Sequence, residues 1–226
     1  MLAMAGSPNP KNEWVRYPMI ADLKPSQQTW LLKVSTTIHL KRHEYLFRKG
    51  EPCNQIFILL EGDLKLSIPA ERGSEKVIEF LSPGDVFGES ALLPGHLRLA
   101  DAQAMGACEL LALESEDVQA AIVRVPSLAQ KFLTGLSLRF ESLLRDIESV
   151  SLQTAAQRVA QYLLGQPRRG NQMRLPFHKR AIASKLGLQP ETFSRSLQQL
   201  AADGLISVSG AEVVIHDPAK LQALLA

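Results

Sequence analysis

The sequence predicts an α+β chain: an N-terminal β-roll, a long helix, then a winged helix-turn-helix. Three observations predict it. Between Glu44 and Leu113 short apolar segments alternate with tight-turn signals, the texture of small antiparallel sheets. From Ala129 to Val150 apolar residues recur in alternating steps of four and three, the period of a helix with one apolar stripe. Beyond residue 150, two short amphipathic segments flank a glycine-containing turn of about three or four residues, which is helix-turn-helix spacing.

Each element follows in order. Residues 1–23 read as an irregular lead-in, and Pro25 to Val34 as a short helix with proline in its first turn. Residues 24–125 form the β-roll. Within it Ile56 to Leu60, the turn Glu61-Gly62-Asp63 and Leu64 to Ile68 read as strand, turn, strand, with further strands at Lys76 to Phe80, Asp85 to Phe87 and Glu109 to Leu113. Pro126 opens the long helix, expected over 126–150, where a first-turn proline is tolerated. Its stripe of Ala129, Leu133, Leu136, Phe140, Leu143, Ile147 and Val150 keeps one heptad phase, as a coiled-coil dimer seam does; an amphipathic helix packed on its own domain gives the same pattern. Residues 151–226 form the helix-turn-helix domain. One helix spans Lys179 to Leu186 and stops at Gly187, a second runs from near Pro190 to Ala202, and Leu205 to Val208 and Val213 to Ile215 are the strands of a wing. Gln166 to Asn171 reads as a surface loop.

Composition bounds the function. With 46% hydrophobic and 21% charged residues the 226-residue chain carries the material of a packed core. No apolar run reaches the ~18 residues of a membrane span, and the N-terminus lacks the apolar stretch of a signal peptide. The two cysteines, Cys53 and Cys108, suit neither a disulfide framework nor a zinc site, so a cytoplasmic setting and no metal are expected. The net charge of +2 hides an asymmetry: residues 1–150 carry 16 Lys and Arg against 19 Asp and Glu, whereas residues 151–226 carry 9 against 4. A basic small domain favours a polyanionic partner, although a charge run also serves as a plain solvated face. No nucleophile elbow, phosphate-binding loop, metal-ligand pair or paired-carboxylate motif appears, which weakens an enzyme built on Glu89 with His96 or His43.

The segment Ala181 to Arg195, reading AIASKLGLQPETFSR, resembles the helix-turn-helix of the cyclic AMP receptor protein and fumarate-nitrate reductase regulator (Crp/Fnr) family. The likeness extends along the chain. Gly50-Glu51, Gly62, the block Gly84 to Glu89 and Arg98 resemble the family's cyclic-nucleotide-binding-like β-roll, the helix before residue 150 its dimerisation helix, and Arg158 to Gln161 the opening of its DNA-binding domain. This resemblance implies a homodimeric transcription regulator that binds double-stranded DNA and contacts RNA polymerase, the loop Gln166 to Asn171 being one candidate for that contact.

The DNA-reading chemistry is argued residue by residue. A recognition helix enters the major groove N-terminus first, so its readers lie in its first two turns on one face. Glu191, Ser194 and Arg195 stand at i, i+3 and i+4. Arg donates two parallel bonds to a guanine, Glu accepts from a cytosine amino group, and Ser serves either role. A plain i,i+4 surface ion pair is the bland alternative for Glu191 and Arg195. Gln189 and Thr192 are further base or phosphate candidates, and Lys179 and Arg180, beside His178, are phosphate candidates. By resemblance Glu-x-x-Ser-Arg belongs with the fumarate-nitrate branch, whose half-sites resemble TTGAT; the LQPETFSR stretch is similar to that of the dissimilatory nitrate respiration regulators.

The effector is the open question of the sequence. By resemblance the pocket comprises Gly88, Glu89, Ser90 and Arg98, which in nucleotide-binding members grip ribose and cyclic phosphate. Here the following hydroxyl position is Leu99, and the adenine-contacting positions of the dimer helix fall on Leu143 and Leu144. A purine amino group facing leucines stays unpaired at about 1–3 kcal/mol, so cyclic AMP is disfavoured and another small anionic or nucleotide ligand is left open. An iron–sulfur cluster needs four thiolates and the chain has two, which disfavours it. Haem, with a gas such as nitric oxide as the effector, is open through His39, His43, His96 or a Met or Cys ligand, and a thiol switch at Cys53 or Cys108 is a further option.

Overall fold

The computed structural model describes Ala21 and residues 23–70 and 73–225, in two compact units. Unit one spans 1–69 and 78–136, unit two 70–77 and 137–226. The irregular lead-in expected over 1–23 lies almost wholly outside the described residues.

Up to the long helix the order is helix α1 (Pro25–Val34), β1 (Thr36–Leu40), β2 (Tyr45–Phe47), β3 (Gln55–Glu61), β4 (Leu64–Pro69), β5 (Glu75–Leu81), β6 (Val86–Phe87), a 3-10 turn (Glu89–Leu92), β7 (Asp101–Ala104), β8 (Cys108–Glu114) and helix α2 (Ser115–Arg124), all in unit one except the first three residues of β5. The strands form two four-stranded sheets, ordered β1-β8-β3-β6 and β2-β7-β4-β5. Strand β3 is apolar at every position from Ile56 to Leu60 because it is buried on both faces. Phe57 and Leu59 face the core between the sheets with Leu64, Leu81, Phe87 and Leu110, while Ile56, Ile58 and Leu60 join Leu31, Leu111, Leu113, Val118 and Leu128 beneath the helices. Strands β1, β2 and β7 escape the sequence reading. β1 pairs with β8, Thr36 opposite Ala112 and Leu40 opposite Cys108, so its partner is supplied by distant chain.

Helix α3 (Pro126–Leu152) is 27 residues long, starts at the expected proline and runs two residues past 150. Unit two holds its C-terminal half, then α4 (Ala155–Leu164), β9 (Gln172–Arg174), α5 (Lys179–Lys185), α6 (Pro190–Ala202), β10 (Ile206–Ser209), β11 (Glu212–Ile215) and α7 (Pro218–Ala223). The wing has a third strand, in the order β10-β11-β9. One core of Val159, Leu163, Ile182, Phe193, Leu200 and Val213 joins α4, α5, α6 and the wing. Burial also holds the Tyr162 hydroxyl protonated, well above the ordinary tyrosine range. No helix among the described residues is long and apolar enough to cross a membrane.

Candidate nucleic-acid interface and ligand pocket

The helix-turn-helix is built by its turn. Leu188 N–H donates to Ala183 O at 2.9 Å and Gly187 N–H to Ser184 O at 3.1 Å, which is the paired closure of a helix ending on a left-handed residue. Gly187 adopts φ 66°, and a Cβ there would stand 3.3 Å from Val150 Cγ2, so both angle and space call for glycine. Arg158 of α4 braces the same turn: its Nη1 donates to Leu186 O at 3.0 Å and Gly187 O at 3.4 Å, and its Nε to Gln153 O at 3.3 Å. The sequence reading placed Arg158 at the opening of the domain without this role. Its signal, a long cation before a helix-turn-helix, is too common to single it out.

Helix α6 starts with Gln189 as N-cap and Pro190 in its first turn, and no side chain caps its N-terminal N–H groups. Those donors lack a side-chain cap and stand beside the exposed Gln189 and Glu191, the latter an acidic residue that already offsets part of the helix dipole. Phe193, Ser196, Leu197 and Leu200 pin one face of α6 into the core. Glu191 and Arg195 are exposed on the other, with Ser194 and Thr192 half-buried between. Glu191 and Arg195 make neither an ion pair with each other nor a hydrogen bond from their side chains among the described residues. The bland reading of these two as a surface ion pair is therefore not what the structure holds. Gln189, Lys179 and Arg180 are exposed, the last two in the first turn of α5.

In unit one the expected pocket contains a buried cation, against which Gly88 is packed. Arg98 is only 5% exposed, its backbone held by Gly50 N–H to Arg98 O and Arg98 N–H to Glu51 O, both 2.8 Å. Its Nη2 donates to Gln55 O at 2.8 Å, and the guanidinium carbon lies 4.3 Å from the Phe47 ring centroid and 5.2 Å from that of Phe57. Nε and Nη1 are buried without a hydrogen-bond partner. Burial lowers its pKa, with Cys53 and Glu51 opposing the shift, but a guanidinium stays charged in proteins. Gly88, at φ 86°, lets the strand approach: a Cβ there would meet Arg98 Nη1 and Gln55 O at 3.0 Å. Glu89 and Ser90 follow in the 3-10 turn, and Ser90 Oγ lies 3.2 Å from Cys53 Sγ. Leu99 is 72% exposed, and Leu143 and Leu144 lie on α3 in unit two, both exposed. The sequence reading missed Phe47 and Phe57 as the rings flanking Arg98.

His39, His43 and His96 are all exposed. None lines the two apolar cavities found under α1, α2 and the start of α3, and no Met or Cys does so among the described residues. No cluster of three or more His, Cys, Asp or Glu able to hold a metal ion occurs among the described residues.

Comparison with known proteins fits this division. Residues 37–124 match the cyclic nucleotide-binding domain family and residues 157–224 the Crp-like helix-turn-helix domain family. The chain is 30% identical to the cyclic AMP receptor protein of Thermus thermophilus over 79% of its length and 83% of that protein's. It is 30% identical to the global nitrogen regulator of a Nostoc species, covering 80% and 85% of the two chains, and 29% identical to the transcriptional activator Anr of Pseudomonas aeruginosa, covering 82% and 78%. Among solved structures, FixK2 of Bradyrhizobium japonicum superimposes with a TM-score of 0.75 at 25% identity, over 85% of this chain and 98% of that one. A CooA mutant of Carboxydothermus hydrogenoformans shares the fold at a TM-score of 0.76 and 20% identity, over 88% and 90%.

Proposed function

Because the chain belongs to the Crp/Fnr family of DNA-binding transcription regulators with a ligand-binding domain, we propose that it acts as a homodimer reading a TTGAT-like palindrome through Glu191, Ser194 and Arg195, under control of a small anionic ligand other than cyclic AMP. The observation that carries the reading is on α6. Its first two turns present an acceptor and a forked donor, Glu191 and Arg195, exposed and without side-chain partners among the described residues. A helix whose opposite face is locked into a core holds those groups rigidly, and rigid placement is what base-edge readout requires. Lys179, Arg180 and the uncapped start of α6 with Gln189 and Thr192 supply phosphate contacts that set register.

The dimer reading rests on α3. Leu133, Phe140 and Ile147 are each 63% exposed, and Leu136, Leu143 and Val150 of the same stripe are exposed too. A second copy laid along that stripe removes the apolar surface from water and sets two recognition helices against two half-sites. Polymerase contact is assigned to the loop 166–171, where Arg168 and Arg169 are exposed.

The ligand reading rests on Arg98. A buried guanidinium with two unpaired nitrogens is costly unless an anion completes it. The exposed Leu99 offers no hydroxyl to a cyclic phosphate. Haem is less favoured by the two apolar cavities under α1 and α2, whose described lining holds no histidine. The test is operator binding by Arg195→Ala. It is expected to lose about 1–3 kcal/mol on a TTGAT palindrome and to tolerate base changes at the contacted position. Unchanged affinity and specificity would sink the assignment.

A further inference from the structure

Beneath α1, α2 and the first turn of α3 lies a cavity of about 190 Å³, away from Arg98 and its partners. Its walls are apolar: Leu23, Trp30, Leu31, Ala121 and Leu128. A second cavity of about 20 Å³ shares these lining residues and is bounded also by Ile56, Ile58 and Leu113 of β3 and β8. An apolar cavity of roughly 150 Å³ is known to stay dry and to accept benzene, so this volume suits one ring or a branched chain with a small substituent.

The mouth has the opposite character. Arg124, in the last turn of α2, lines it, is exposed and has no ion-pair partner among the described residues. Ser26 and Gln27 come from the first turn of α1 and Leu128 from the first turn of α3. Two helix starts border the opening and add partial positive charge, while the end of α2 adds partial negative charge beside Arg124, so the formal charge on the lining is that of the Arg124 guanidinium. Neither helix has an acidic residue in its first turn, and no described lining residue is acidic. An unpaired cation over an apolar chamber with no acidic residue in its described lining complements one kind of molecule, a compact apolar body ending in a single negative charge.

We propose that this cavity is a second ligand site of the chain, taking a small aromatic or branched monocarboxylate with its apolar part against Trp30 and Leu128 and its carboxylate at Arg124. The inference stands apart from the operator reading, because its readout is ligand binding alone. Such a ligand touches α3 at its first turn, the start of the helix whose later turns carry the exposed stripe.

Calorimetric titration of the full chain with benzoate and with the neutral isostere benzamide tests the site. Benzoate is expected to bind once per chain and at least tenfold more tightly than benzamide. Arg124→Gln, a change at an exposed position, is expected to erase that preference while leaving benzamide binding as it was. Ala121→Phe, which places a ring inside the chamber, is expected to abolish both. Absence of benzoate binding, equal affinity for the two probes, or a preference that survives Arg124→Gln would each overturn the proposal. Benzoate affinity unchanged in a folded Ala121→Phe protein would do so as well, by placing the anion elsewhere.

Discussion

At Gly187 the chain leaves α5 with a left-handed φ of 66°, and the carbonyls it turns past are taken up by Arg158. A side chain at this position meets two costs at once, the left-handed backbone and the 3.3 Å approach to Val150. Gly187→Ala is therefore expected to destabilise unit two by about 1–2 kcal/mol in urea unfolding, with Gly187→Asn falling between the two because asparagine tolerates the angle better. No loss in the alanine variant would mean that the turn relaxes without glycine. Arg98 makes the complementary point about charge. Its guanidinium is enclosed by Phe47, Phe57 and the Gln55 carbonyl, and two of its nitrogens are left without a hydrogen-bond partner, the observation on which the proposed anionic ligand rests.

Helix α4 shows how an element is started and then used as a frame. Thr154 Oγ1 accepts from Gln157 N–H at 3.3 Å while Gln157 Oε1 accepts from Thr154 N–H at 2.9 Å, a reciprocal cap. Gln157 Nε2 also donates to Leu224 O at 2.8 Å, tying the helix start to the chain after α7. Removing the hydroxyl by Thr154→Ala is expected to cost about 1 kcal/mol, seen as a lower urea midpoint at unchanged slope. An unshifted midpoint would show that Gln157 alone suffices. Helix α6 has no such side-chain cap; Phe193 and Leu200 anchor it by burial, and Glu191 in its first turn offsets part of its dipole.

The chain holds a ligand-binding domain and a DNA-binding domain, and between them in sequence lies α3, whose stripe is apolar and exposed in the single chain. Phe140→Glu places a charge in the middle of that stripe. It is expected to convert a dimer to a monomer in analytical ultracentrifugation and to weaken operator binding at least about tenfold, since each chain then engages one half-site. A charge-bearing variant that stays dimeric would move the interface off this stripe. The sequence by itself determined whatever rests on local hydrogen bonds and local period. The β3–β4 hairpin follows from an apolar run broken at Gly62, α3 from its heptad steps behind Pro126, and α5, the turn and α6 from the Gly187 and Pro190 signals. Glu191 and Arg195 were legible for the same reason, as their common face follows from helical spacing alone. Tertiary structure decided what depends on partners far along the chain. β1 and β7 carry little pattern of their own and form because Cys108–Ala112 and Leu64–Ser67 offer them paired edges. The burial of Arg98, the grip of Arg158 on the turn, and a cavity walled by residues as distant as Leu31 and Leu128 have no local signature. They arise only when the entropy of closing long loops is met by the burial of apolar surface, and that is settled by the packed whole.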